Sequence, residues 1–112
     1  MVEKEYIPNR GDIVWLNFTP QSGHEQMGKR PAIVLSPIEY NEKVGLAIFC
    51  PITSMEKGYP FEVKLNNKKV NGVILSDQIK SLDWRTRNIE FIVKANENEI
   101  EEVQEKLSLL IF

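Results

Sequence analysis

A chain of 112 residues with 42% apolar side chains is long enough for one hydrophobic core and too short for two. Its 27% charged residues and 9% aromatics exclude a disordered chain, and no apolar run approaches the roughly 18 residues that a bilayer-spanning helix needs. The formal net charge of −2 argues against a nucleic-acid binder only until its placement is considered. Glu97, Glu99, Glu101, Glu102 and Glu105 face Lys106 alone, so the C-terminal segment carries −4 and the remainder +2.

The N-terminus, Met1-Val2-Glu3-Lys4-Glu5, carries acids and no apolar core, which does not fit a signal peptide and points to the cytoplasm. Gly11 to Phe18 alternates as a strand, with Ile13, Trp15 and Asn17 on one side and Val14, Leu16 and Phe18 on the other. Thr19 to Lys29 holds Pro20, Gly23 and Gly28 among polar residues, the composition of a mobile loop of about ten residues. Arg30 to Ser36 resumes the strand pattern, and Pro37 to Lys43 suits one short helical turn. Leu46 to Thr53 is a β-branched and aromatic run. A second polar loop, Ser54 to Tyr59, precedes a strand at Phe61 to Leu65 and a turn at Asn66 to Gly72. Val73 to Leu75, Gln78 to Leu82 and Ile89 to Lys94 follow as short strands.

The period then changes. Asn96 with Glu99 three residues on fits an N-terminal capping pair, and Ile100, Val103, Leu107 and Leu110 recur at helical spacing. Many short strands closed by one amphipathic helix predict a mainly β, curled sheet or barrel filling one domain over residues 1–112. Cys50, the one cysteine, lies in the apolar run Leu46 to Ile52 and reads as a buried, inert thiol.

Candidate chemistry is sparse. With one histidine, one cysteine and no motif-spaced carboxylate pair, neither a zinc site nor a Ser/His/Asp hydrolase is expected. Glu25, Lys29 and Arg30 stand in or beside the first long loop, and Thr53 ends a strand at the second, so both loops can border one cleft. Each has an ordinary reading too. Arg30 before Pro31 suits a solvated strand-end cation, Thr53-Ser54 a turn, and His24 and Glu25 a polar surface; Trp15 and Trp84 suit packing better than base stacking.

The order of YIPNRGDIVWLNF, GHEQMGKRPAIVLSP, FCPITSMEKGYPFEV and GVILSDQIKSLDW, from Tyr6 to Trp84, strongly resembles the MazF/PemK family of toxin-antitoxin ribonucleases. The stretch Arg87 to Glu97 follows the family's general pattern only. The resemblance implies an SH3-like barrel, a homodimer, and metal-independent cleavage of single-stranded RNA without a cofactor. It also implies inhibition by a cognate antitoxin whose disordered, acidic C-terminal segment covers the groove, contact with DNA only through that antitoxin, and no contact with membranes. Its catalytic residues match Arg30 and Thr53, and its loop glutamate matches Glu25. Phe18, Pro20, His24, Gln26, Lys29, Lys57, Gln78 and Lys80 are the RNA-contacting positions expected on this basis.

In such a reaction the substrate's 2′-hydroxyl attacks the phosphate, leaving a 2′,3′-cyclic phosphate and a 5′-hydroxyl. Arg30 supplies a fork of charged donors to the phosphorane and Thr53 a hydroxyl donor. The general base stays open between the arginine the family is described with and Glu25 or a water it holds, because arginine remains protonated in proteins. A same-fold toxin that poisons a topoisomerase, and a binding module without catalysis, are the alternatives.

Overall fold

The computed structural model describes residues 5–18 and 28–112. The expected loop at Thr19 to Lys29 therefore lies outside the described residues but for its last two, as do its candidate site residues Pro20, His24, Glu25 and Gln26.

Seven strands and two helices follow in the order β1 Asp12–Asn17, β2 Lys29–Val34, α1 Ile38–Val44, β3 Leu46–Thr53, β4 Glu62–Lys64, β5 Val73–Leu75, β6 Lys80–Asp83, β7 Glu90–Lys94 and α2 Glu97–Ile111. Every pairing is antiparallel, along the path β4-β5-β3-β2-β1-β7. The long strand β3 is the seam. One of its edges meets β2, while the other is shared between β6, opposite Leu46 to Phe49, and β5, opposite Ile52 and Thr53.

Alternating side chains of β1, β2 and β3 enter two different cores. Ile13, Ile33 and Cys50 join Val63, Ile74, Val103 and Leu107 in the first; Val14, Val34, Phe49 and Trp84 form the second. Strands from both ends of the sheet share the first cluster, so the sheet curls around it as a barrel and α2 closes it. Period-2 alternation separates the faces of a strand without saying which is wet, and here both are buried.

One residue of β1 departs from that double burial. Trp15 is not a packing residue: it is 40% exposed, whereas its neighbours Val14 and Leu16 are fully buried. It pairs with Pro31 at the far end of β1 and β2. Trp84 packs as expected, 1% exposed, with its indole N–H donating to the Asn41 carbonyl at 3.0 Å.

α1 is a full seven-residue helix rather than a single turn, and it ends at Gly45, whose φ of 82° is the left-handed cap that favours glycine. At the head of α2 the Asn96/Glu99 pair forms as expected, the Glu99 carboxylate accepting the Asn96 N–H at 2.9 Å. Leu110, placed in the apolar stripe by its spacing, is 53% exposed, because the last turn of α2 runs past the barrel. Cys50 is fully buried, and desolvation, then the nearby Asp77 charge, push its thiol from 9.0 up to about 12. No helix among the described residues is long and apolar enough to cross a membrane.

Candidate active site on the barrel rim

Strand register assembles the site. Ala32 lies opposite Pro51 in the β2-β3 ladder; extended two residues, the same register sets Arg30 level with Thr53. On its other edge Thr53 pairs with Val73, which brings the preceding turn alongside. Arg30, Thr53 and Ser54 consequently line one cleft of about 400 Å³, together with Trp15, Lys69 and Asn71.

Two of the three expected catalytic side chains, Arg30 and Thr53, lie among the described residues. Arg30 is exposed and makes no side-chain hydrogen bond or ion pair with the described residues. The Thr53 hydroxyl oxygen accepts the Met55 N–H at 3.2 Å, so its own hydrogen remains to be donated into the cleft.

Thr53 also lines a second cleft, of about 320 Å³, with Lys57, Tyr59, Asp77 and Gln78. Its wall is an ordered loop. One Glu62 carboxylate accepts the N–H groups of Lys57, Gly58 and Tyr59 at 3.0 to 3.2 Å, and Lys106 of α2 donates to the carbonyls of Pro60 and Glu62. The Tyr59 hydroxyl donates to Asp77, and this hydrogen bond holds the phenol pKa above its ordinary value. The other Asp77 oxygen is buried and has no partner among the described residues.

The remaining expected contacts divide. Lys80 lies 5.9 Å over the Phe18 ring, so these two meet each other. Lys29 does not face the Arg30-Thr53 cleft; it pairs with Glu90 at 2.9 Å in a separate depression beside Trp15. Of the lining residues, the sequence pattern assigned Trp15 to packing and did not single out Tyr59, Lys69, Asn71 or Asp77. The Asn-Lys-Gly composition of residues 66–72 signalled a turn but not its position, which depends on the β3-β5 register.

Fold and cleft together define a small antiparallel β barrel, closed by a C-terminal helix, with an arginine and a threonine converging on its rim. The sequence model of the PemK-like, MazF-like toxin of type II toxin-antitoxin systems matches residues 9–111. This chain belongs to that family. It is 43% identical over 106 residues to the endoribonuclease toxin MazF of Escherichia coli (strain K12), covering 95% of this chain and 96% of that one. It is 34% identical to the endoribonuclease toxin ChpB of the same organism, over 99% of both chains. The crystal structure of MazF from Deinococcus radiodurans superposes with a TM-score of 0.86 at 53% identity, covering 96% of this chain and 98% of that one. A MazE-MazF structure from the same organism gives 0.85 at 47% identity, covering 96% and 99%. The barrel and its closing helix are thus those of the MazF toxins.

Proposed function

We propose that this chain, an endoribonuclease toxin of a type II toxin-antitoxin system, cuts single-stranded RNA at the Arg30-Thr53 cleft by attack of the substrate's own 2′-hydroxyl. The observation that carries the reading is the convergence in one cleft of a guanidinium that has no partner among the described residues and a hydroxyl donor. Attack on the phosphorus gathers negative charge on the non-bridging oxygens. A planar, permanently charged fork stabilises that charge best where it is preorganised and partly shielded from water. Thr53 adds a neutral donor to the same phosphate. The 2′-hydroxyl proton must leave and the 5′-oxygen must gain one, and Glu25 or a water it holds is the base we assign. RNA is required over DNA because the nucleophile belongs to the substrate.

Lys57 and Gln78, in the adjoining cleft, and Phe18 with Lys80 extend the track on which single-stranded bases and phosphates lie. Pro20, His24 and Gln26 are assigned to the reading loop, and Lys29 to the strand end beside it. The toxin occupies one domain over residues 1–112, acts in the cytoplasm and works as a homodimer that completes the groove. Its inhibitor is a cognate antitoxin with an acidic, disordered C-terminal segment, which competes with RNA for the same cations. The MazE-MazF complexes of a relative support a partner of this kind.

The test is purified protein with mixed-sequence RNA in EDTA. Discrete cuts ending in 2′,3′-cyclic phosphates and 5′-hydroxyls are expected. Intact RNA, with or without a stalled topoisomerase, would remove the reading.

A further inference from the structure

Trp15 and the turn between β4 and β5 lie on the Arg30 side of Thr53, away from Lys57 and Gln78. Burying a tryptophan is strongly favourable, so one left 40% exposed at the mouth of a cleft in an otherwise buried strand has an apolar face available to a ligand. The Asn66 to Gly72 turn is built rigidly. Glu99 of α2 accepts the Asn66 N–H at 2.7 Å, and the Asn67 side chain accepts those of Lys69 and Val70 at 2.9 and 2.8 Å. Gly72, with φ of 127°, presses so closely on the Thr53 carbonyl that a Cβ there would stand 2.1 Å from its oxygen. Lys69 is exposed and enters no ion pair among the described residues, and it lines the same cleft as the candidate catalytic threonine.

We propose that Trp15 and Lys69 form a flanking-nucleotide subsite: the indole stacks the base next to the cleaved bond, and Lys69 binds the phosphate beyond it. The proposal rests on the endoribonuclease reading above and extends it by one nucleotide. An aromatic plate beside a cation is the arrangement that holds single strands without reading their sequence, because every base has a π-face. Asn71, on the same wall, is placed to hydrogen-bond the edge of that base. Extension of a minimal substrate by one nucleotide on the correct side therefore adds transition-state binding that a shorter RNA does not receive.

Two measurements test this. The first compares kcat/KM on a minimal RNA and on RNAs extended by one nucleotide at either end. Wild type should gain on the order of tenfold from one extension, Trp15→Ala should bring the ratio of the two rates close to one whatever its rate on the minimal RNA, and Trp15→Phe should keep most of the gain. Lys69→Gln should lower the slope of log affinity against log salt by about 0.7. If Trp15→Ala keeps the gain, or loses activity equally on both lengths, the subsite is wrong. The second uses wild type, whose other tryptophan, Trp84, is buried. Acrylamide should quench Trp15 in the free protein, and saturating RNA with a 2′-deoxy nucleotide at the cleaved position should shield it. Unchanged quenching with RNA bound, or an indole already shielded without RNA, overturns the proposal. No RNA cleavage by wild type would remove both readings, whereas normal cleavage with an unshielded indole removes the subsite alone.

Discussion

Where α1 meets the N-terminal segment, Asn41 is fully buried and every polar group it offers is used inside the chain. Its side-chain oxygen accepts from Ser36 at 2.6 Å, and its amide donates to the carbonyls of Pro8 and Ser36 at 2.8 and 2.9 Å. Its own carbonyl takes the Trp84 indole N–H, and the Ser36 hydroxyl oxygen accepts from Ile48. Around Thr53 the polar groups are arranged in the opposite sense. Arg30 is exposed with no partner among the described residues, and the Thr53 hydroxyl keeps its hydrogen. A satisfied polar network holds a corner of the fold, while exposed donors on a rim are left for what binds there.

If that division holds, substitutions in the two regions should separate stability from activity. Arg30→Ala should lower kcat by on the order of 10² to 10³ through loss of a preorganised transition-state donor, with melting temperature nearly unchanged. Steady-state cleavage beside a thermal melt of the same sample checks it. Asn41→Leu should do the reverse. It strands the Ser36 hydroxyl and the carbonyls of Pro8 and Ser36, which should cost about 2 kcal/mol and lower the melting point by roughly 10 °C. The kcat of the folded fraction at low temperature should stay at the wild-type value. A variant losing both properties in either region would break the comparison.

Smaller effects sharpen it. Thr53→Val keeps the shape and removes the hydroxyl, so cleavage should slow about tenfold while RNA affinity persists, because one neutral donor is worth less than a charged fork. Cys50 belongs to the fold side. Its thiol pKa rises from 9.0 to about 12 on folding, so the native state holds the proton more tightly than the unfolded chain does. Stability from this group is intact below pH 9 and falls as pH climbs toward 12. Between pH 8 and 9.5 the loss is about 0.8 kcal/mol, seen as the difference between wild type and Cys50→Ala in parallel urea melts.

Much of this barrel was legible from local patterns. Leu46 to Thr53 is observed with those bounds, and the Asn96/Glu99 pair marked the start of α2. Both are short-range signals, a β-branched run and a cap. Trp15 was misread because strand alternation cannot tell a buried face from a wet one when a sheet curls around one core and rests on another. The site was legible in part, through the matching segments that pointed to Arg30 and Thr53. Their meeting depends on the register between β2 and β3, and the approach of Lys69 depends on a second register at the other edge of β3. Neither register is written in the composition of any one segment.

On the function proposed above, the substrate's own hydroxyl does the attacking, with Arg30 and Thr53 stabilising the charge it creates. The most direct measurement replaces the single ribose at a mapped cleavage site by 2′-deoxyribose and follows cutting and binding of the two RNAs side by side. The account predicts that the deoxy RNA binds with affinity within a few-fold of the parent, stays intact at that bond, and is still cut at any other recognised site along the strand. Cleavage of the deoxy RNA at the substituted bond, at a rate near that of the parent, would contradict it and require an external nucleophile.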